Sequence, residues 1–231
     1  MLVKQSKSML LLAVDTSGKQ GSIAVAQCGS GDGCDVIEVV ALTGGTFSAE
    51  LVPQIAALLG KHNFSKADIG GFAVVSGPGS FTGLRIGLAV VKALADVLGK
   101  PIAAVSMLEA VAAEADSRGR VMAALDGGRN EVFVGEYEVS GSGVRLMRER
   151  MLARAEWMDS AGEAIIVTPD LALAEVAHAR GLLVQKVERP RTDVIARLGW
   201  KKIARGEIVS AEALEANYVG RSEAELFVKS S

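Results

Sequence analysis

Histidine, cysteine and aromatic side chains are scarce in this chain: two, two and 4% of 231 residues. Each scarcity removes a class of function. His62 and His178 stand far apart, with no second ligand at the spacing of an H-E-x-x-H helix, so metalloprotease chemistry is disfavoured and no metal site is expected. No Ser-His-Asp or Cys-His pairing can be assembled either. His62, just past a helix C-terminus, reads as a cap, and His178 as a solvated helix residue beside Asp170 and Glu175. Cys28 and Cys34 flank a glycine-rich loop, but a chain of this length folds without a disulfide; free thiols in a reducing compartment are expected. With few aromatics and 49% hydrophobic residues, the core must be Ala, Val, Leu and Ile, the composition of helices packed on sheets. Positive charge is not in excess: the formal net charge is −2, which argues against strong nonspecific nucleic-acid binding by the chain alone. Long hydrophobic runs are missing too. The stretch Met9 to Val14, after Lys4 and Lys7, is stopped by Asp15 and is too short for a signal peptide. Nothing approaches the ~20 apolar residues of a membrane span, so a soluble, cytoplasmic protein is expected.

Alternation and punctuation give an order of elements. Strands are predicted over Met9 to Val14, Gly21 to Gln27 and Asp35 to Leu42, a helix over Ala49 to Leu59 capped by Thr46 or Ser48, and a buried strand over Ile69 to Val75. A helix over Thr82 to Leu98, stopped by Gly99, a strand over Pro101 to Val105 and a helix over Ser106 to Ser117 complete a β-β-β-α-β-α-β-α series. The series then recurs. Strands at Val121 to Leu125, Glu131 to Val139 and Val144 to Arg150 precede a helix at Arg154 to Ser160, a strand at Ala164 to Val167, a helix at Asp170 to Arg180, a strand at Leu182 to Val187 and a helix at Thr192 to Arg205. AVDTSGKQGSIAVA and AALDGGRNEVFVGE place Asp15 and Asp126 at one point of the same hairpin, which indicates an internal duplication. The expected halves are 1–105 and 106–231, with the tail from Ala211 returning to pack on one half or on a partner. A duplicated α/β unit with an Asp at each first hairpin resembles the actin, sugar kinase and Hsp70 group (the ASKHA fold), in which a nucleotide sits between two subdomains; at this level the likeness concerns fold and not function.

Chemistry is sought first at the glycine loop Ser76 to Gly87, SGPGSFTGLRIG. Gly77, Gly79 and Gly83 permit close backbone approach, Pro78 stiffens the turn, and Ser80 and Thr82 are both suitable N-caps. A helix N-terminus is an anion site, yet the lysine of a G-x-x-x-x-G-K-[ST] loop is missing. The loop is either an unusual phosphate cradle or a structural and interface element. Asp15, Thr16 and Ser17 fit a phosphate hairpin with an Asp to hold Mg through water, and equally an Asx turn. With Gly79 and Ser80 they form the candidate nucleotide site, a weak and vestigial one for ATP or ADP. Asp126-Gly127-Gly128-Arg129 reads as a tight hairpin turn, with Arg129 available to an anion or a carboxylate.

The helix after the loop is apolar around most of its circumference, with Arg85, Lys92 and Asp96 as one narrow polar stripe, and Gly83, Gly87, Ala89, Ala93 and Ala95 inviting close approach of another helix. The preceding helix is similarly broad in its apolar face. Either both are sandwiched inside the domain, or together they form an oligomer interface; the candidate interface is Leu51, Ile55, Leu58, Leu84, Arg85, Leu88, Val91, Lys92 and Ala95. Lys186, Arg189, Arg191, Arg197, Lys201, Lys202 and Arg205 concentrate positive charge, as a solvated face or as a contact with RNA phosphates inside a larger assembly. Asn217 to Arg221 would dock the tail by burying Tyr218.

Taken together, LLAVDTS at Leu11 to Ser17, SGPGSFTGLRIGLAVVKALA at Ser76 to Ala95, PIAAVSMLEA at Pro101 to Ala110, the Asp126 hairpin and the Tyr218 region resemble the TsaB (YeaZ) family of bacterial tRNA threonylcarbamoyladenosine (t6A) synthesis. Members often read His-Ser-Glu where this chain has Phe47-Ser48-Ala49-Glu50, and Tyr-x-Arg where it has Tyr218-Val219-Gly220-Arg221. The resemblance implies a noncatalytic subunit that lacks the H-x-x-x-H metal site of TsaD and pairs with TsaD through its helical face. With TsaE, it would support threonylcarbamoyl transfer to adenosine 37 of tRNAs reading ANN codons, meeting tRNA only indirectly. A homodimer through the same face, and a stand-alone ATPase or small-molecule kinase using Asp15, are the other expectations.

Overall fold

In the computed structural model, which describes residues 8–29 and 33–219, the chain runs β-β-β-α-β-α-β-α twice. The first series is β1 (Met9–Asp15), β2 (Gly21–Cys28), β3 (Cys34–Leu42), α1 (Phe47–Lys61), β4 (Ile69–Gly77), α2 (Phe81–Leu98), β5 (Ile102–Ser106) and α3 (Met107–Ala113). The second is β6 (Gly119–Gly128), β7 (Glu131–Ser140), β8 (Gly143–Ala153), α4 (Arg154–Ser160), β9 (Ile165–Thr168), α5 (Leu171–Ala179), β10 (Val184–Lys186) and α6 (Thr192–Ala204). Each series makes one five-stranded sheet, ordered β3-β2-β1-β4-β5 and β8-β7-β6-β9-β10. The two orders are the same, so the duplication legible in the sequence is a duplication of topology. In both, the hairpin strands pair antiparallel and the strands after the helices pair parallel to the first. The parallel β1 and β4 are buried on both faces, which is why LLLAV and FAVV are unbroken apolar runs.

The chain divides into two units, but not at 105/106 throughout. One contains residues 1–106 and 191–216, the other 107–190 and 217–231. The helix that ends each series therefore belongs to the other sheet's unit: α3 packs on β6, β7 and β8, and α6 on β1 to β5. The expected halves miss this because the apolar stripe of α6 (Ile195, Ala196, Leu198, Gly199) names no partner. Gly199 marks the contact: a Cβ there would lie inside the side chain of Ala73 on β4. In the second unit Met122, Ala124, Val132, Val134, Leu152 and Ile166 form a core under Trp157 of α4 and Leu173 and Ala177 of α5. No helix among the described residues is long and apolar enough to cross a membrane.

Cys28 and Cys34 correct an expectation. They are register partners at the end of the β2–β3 ladder, Cα atoms 4.0 Å apart, and the structure joins them as a disulfide. Antiparallel pairing puts two residues six apart face to face, which the spacing alone does not reveal.

Trp157 is fully buried, and its indole N–H has no acceptor among the described residues. An unmade hydrogen bond costs about 1–3 kcal/mol, whereas truncating a buried Trp to Ala costs about 3–5. Trp157→Phe removes volume and the stranded donor together, so it should cost no more than about 1–2 kcal/mol, read by circular dichroism in urea.

Candidate functional site

Because β4 pairs parallel to β1, the hairpin after Asp15 and the glycine loop after Gly77 emerge at the same edge of the first sheet, where open α/β sheets bind ligands. Here the two segments bind each other. Ser80 N–H donates to the Ser17 carbonyl (2.7 Å), and Thr16 Oγ1 donates to the Gly83 carbonyl (2.7 Å). Ser17 donates to Asp15 Oδ1 through both its N–H (2.8 Å) and its Oγ (2.6 Å). The glycines make this approach possible. A Cβ at Gly79 would lie 2.7 Å from Ser17 Cβ, and one at Gly83 or Gly87 would strike the Thr16 carbonyl or hydroxyl. Ser80 is the N-cap of α2, accepting from Gly83 N–H (3.3 Å); Thr82 is already helical.

Of the five candidate nucleotide-site residues, Asp15, Thr16 and Ser17 are 3%, 3% and 2% exposed, while Gly79 and Ser80 are exposed. The structure brings all five together and turns Asp15, Thr16 and Ser17 inward. The Thr16 and Ser17 hydroxyls donate within the chain, and the Asp15 carboxylate serves as the acceptor of an Asx turn.

The equivalent hairpin in the second unit is a two-residue turn with Arg129 and Asn130 at φ 50° and 67°, the left-handed geometry such turns require. Asp126 Oδ1 accepts from Gly128 N–H and faces Arg154 at 3.6 Å. Arg154, and not Arg129, supplies its cation.

The helical face sorts differently from the expected interface. Leu51, Ile55, Leu58, Leu84, Leu88, Val91 and Ala95 are all at most 7% exposed, so they are core. Lys92 is also engaged, its ammonium donating to the Glu212 and Leu214 carbonyls. Gly83 and Gly87 receive the Thr16 hairpin rather than another helix. What α2 presents to solvent is Phe81, Thr82, Arg85, Ala89, Ala93, Asp96 and Val97, and α1 presents Ser48, Ala49, Val52, Pro53, Ala56, Ala57, Gly60 and Lys61. Phe81 is 54%, Val97 79% and Val52 54% exposed, and the Arg85 guanidinium lies over the Phe81 ring at 3.7 Å, a cation–π contact. The two helices pack side by side, and most of their exposed residues are small or apolar, with Arg85, Asp96 and Lys61 as the charges. Sequence reasoning placed Arg85 in the candidate interface and read Ala89 and Ala93 as open to a close helix, but it left Phe81, Val97, Val52 and Ala56 out of the candidate interface. The i, i+4, i+8 series Ala89, Ala93, Val97 was the available signal.

His62 is the C-cap of α1, and its Nε2 lies 2.7 Å from Glu38 Oε2. Hydrogen bonds from Lys61 and His62 hold the Glu38 carboxyl below the usual carboxylate range. His178 is exposed on α5. Among the described residues no three His, Cys, Asp or Glu side chains gather as metal ligands. The basic stretch is divided between the units: Lys186 and Arg189 fall in the second, Arg191 onward in the first, where Arg197 pairs with Asp193 and Lys202 with Glu207. In the tail Val219, not Tyr218, is buried (8% against 54% exposed), because the side chain after Tyr218 turns inward. Gly220 and Arg221, like Lys4 and Lys7, lie outside the described residues.

Two topologically identical sheets, each with an Asp at or near the end of its first strand, define a duplicated actin-like α/β protein. The family model for "TsaD: tRNA N6-adenosine threonylcarbamoyltransferase" matches residues 42–198, and the chain belongs to this family, in its TsaB (YeaZ) branch. It is 28% identical over 229 residues to the tRNA threonylcarbamoyladenosine biosynthesis protein TsaB of Bacillus subtilis, covering 94% of this chain and 96% of that one. It is likewise 28% identical over 229 residues to TsaB of Escherichia coli, covering 91% and 94%. The solved structure of YeaZ from Pseudomonas aeruginosa superposes with a TM-score of 0.73 at 27% identity, over 91% of this chain and 99% of that one.

Proposed function

We propose that this chain is a noncatalytic scaffold and activator subunit in tRNA t6A synthesis, docking the catalytic paralogue TsaD on the exposed face of α1 and α2 and acting with TsaE. In that role it is required for threonylcarbamoyl transfer to N6 of adenosine 37 in tRNAs reading ANN codons. The observation that carries the reading is the solvent face of the two helices. Val52, Ala56, Phe81, Ala89, Ala93 and Val97 form the apolar centre expected of a protein interface, with Arg85 and its Phe81 partner as the aromatic and arginine pair that such centres favour. Small side chains at Ala89 and Ala93 let a partner helix approach closely. A homodimer through this face would compete with the heterodimer. Support for a noncatalytic role comes from the Asp15 hairpin, whose hydroxyls are committed to the chain's own backbone and carboxylate. The competing reading, a stand-alone ATPase, needs those same groups on phosphate and Mg.

Reconstitution of tRNA modification from TsaD, TsaE and the adenylate-forming enzyme tests the proposal, with and without this chain. Modification is expected to fall to background on omission and to be lost with Ala89→Glu, which also abolishes co-purification with TsaD. Undiminished modification without the chain would remove the central claim. Mg-ATP binding by the isolated chain that Asp15→Ala abolishes would favour the ATPase.

A further inference from the structure

The cysteine pair takes no part in the candidate site or in the proposed function. Cys28 ends β2 and Cys34 begins β3, so they face each other on the last rung of an antiparallel ladder, joined as a disulfide. β3 is an edge strand of the first sheet. Past the rung the loop is closed by the Gly29 N–H donating to the Gly33 carbonyl (2.9 Å). Among the described residues no third His, Cys, Asp or Glu side chain joins the pair, so it is no metal site. The fold accommodates both oxidation states of the two sulfurs. Ladder register places them opposite one another for the disulfide. For the thiols an acceptor is already in place: Cys34 Sγ lies 3.8 Å from the Ala196 carbonyl oxygen of α6, within reach of a weak S–H donor. Access differs between the two. Cys28 is 0% and Cys34 8% exposed, and the end of a ladder is where local opening costs least, so Cys34 is the sulfur an external thiolate reaches.

We propose that Cys28 and Cys34 form a reversible thiol–disulfide clasp on the edge of the first sheet, set by exchange with low-molecular-weight thiols and their disulfides. In reduction a small-molecule thiolate attacks Cys34 Sγ, the bond between the cysteines breaks, and Cys28 leaves as a thiolate. A second small-molecule thiolate attacks the mixed disulfide and releases the Cys34 thiolate and the small-molecule disulfide. Two electrons enter the protein, and each cysteine takes a proton from solvent; oxidation runs the same steps backward. Closure pins the start of β3. Glu38, four residues along, receives Lys61 and His62 at the end of α1, so the clasp steadies the strand to which that helix end is tied.

The test holds the full chain in buffers of reduced and oxidised glutathione at stepped ratios, quenches with acid, labels free thiols with a maleimide and counts them by mass. Both thiols are expected at the reduced limit and neither at the oxidised limit, with the same curve from either direction and no lasting glutathione adduct. Oxidation should raise the melting temperature by about 4–8 °C and slow amide exchange in β3 severalfold, leaving β8, an edge strand of the other sheet, unchanged. Cys28→Ser, which keeps the accessible sulfur, should accumulate a glutathione adduct severalfold faster than Cys34→Ser; the alanine variants serve if serine disturbs folding. Thiols that persist in oxidised glutathione, a disulfide that persists in excess reduced glutathione, a stable adduct in place of the internal bond, or equal melting of the two forms would each overturn the proposal.

Discussion

Val91→Glu should unfold the first unit near neutral pH, while Ala89→Glu, two residues earlier in the same helix, should leave folding intact and abolish partner binding. The two positions are roughly 200° apart around α2. Val91 is 0% exposed and Ala89 faces solvent. A carboxylate at Val91 would have no cation built to receive it, and burial raises a carboxyl pKa by up to about 3–5 units. At about 1.36 kcal/mol per unit, the penalty at pH 7 is about 4–7 kcal/mol, comparable to the whole stability of a domain at about 5–15. The sign of the pH dependence follows. With the folded pKa above the unfolded one, the unfolded chain releases its proton first as pH rises, so the variant is least stable above the folded pKa and regains stability toward pH 4. Recovery of helical circular dichroism on acidification is the measurement. A Val91→Glu protein as stable as the parent at pH 7 would show that this side of α2 is not core. Ala89→Glu, by contrast, alters an exposed position and should change stability by less than about 0.5 kcal/mol.

That contrast marks where sequence stopped. Apolar residues surround α2, so periodicity identified a helix buried on more than one side and left open which side met its own sheet. The structure resolves this by area. Leu84, Leu88 and Val91 go inward because burying a large side chain gains about 1.5–3 kcal/mol, and the alanines are left outside. Local signals served well elsewhere: Ser80 capping α2, Gly99 in the left-handed conformation closing it, and the strand bounds of the first hairpin to within a residue were legible, because each depends on a few neighbouring residues. By contrast, β6 runs from Gly119 to Gly128 and not only from Val121 to Leu125. The exchange of α3 and α6 was not, since an amphipathic stripe says that a helix packs and not on what. The Cys28–Cys34 pairing depends on ladder register, which a shift between Val25 and Ala26 places beyond simple counting. At the Asp15 hairpin the residue types were read correctly and their use stayed open. A phosphate site and an Asx turn call for the same Asp, Thr and Ser, and only the position of the glycine loop against them distinguishes the two.

Gly83→Ala should destabilise the first unit by about 2 kcal/mol or more, although the same change in an ordinary helix interior stabilises by about 1. Gly83 lies in the first turn of α2, where a Cβ would be driven into the backbone carbonyl of Thr16. A backbone atom cannot rotate aside as a side chain can, so the start of the helix or the hairpin must shift. The shift also stretches the bond from Thr16 Oγ1 to the Gly83 carbonyl (2.7 Å), and overpacking of this kind costs about 1–3 kcal/mol, occasionally more. Gly60 provides the control. It is an exposed α1 residue, and a Cβ there would meet nothing within 4 Å, so Gly60→Ala should stabilise by about 0.5–1 kcal/mol. One tryptophan lies in each unit, Trp200 in the first and Trp157 in the second. In a Trp157→Phe background, Trp200 fluorescence therefore reports urea unfolding of the unit that carries both glycines. Opposite shifts of the midpoint for the two Gly→Ala variants are expected. A Gly83→Ala midpoint at or above that of Gly60→Ala would mean that the glycine loop is not packed against the Asp15 hairpin. The hydroxyls of Thr16 and Ser17 would then be free to meet a phosphate, and the scaffold reading would lose its structural support against the ATPase.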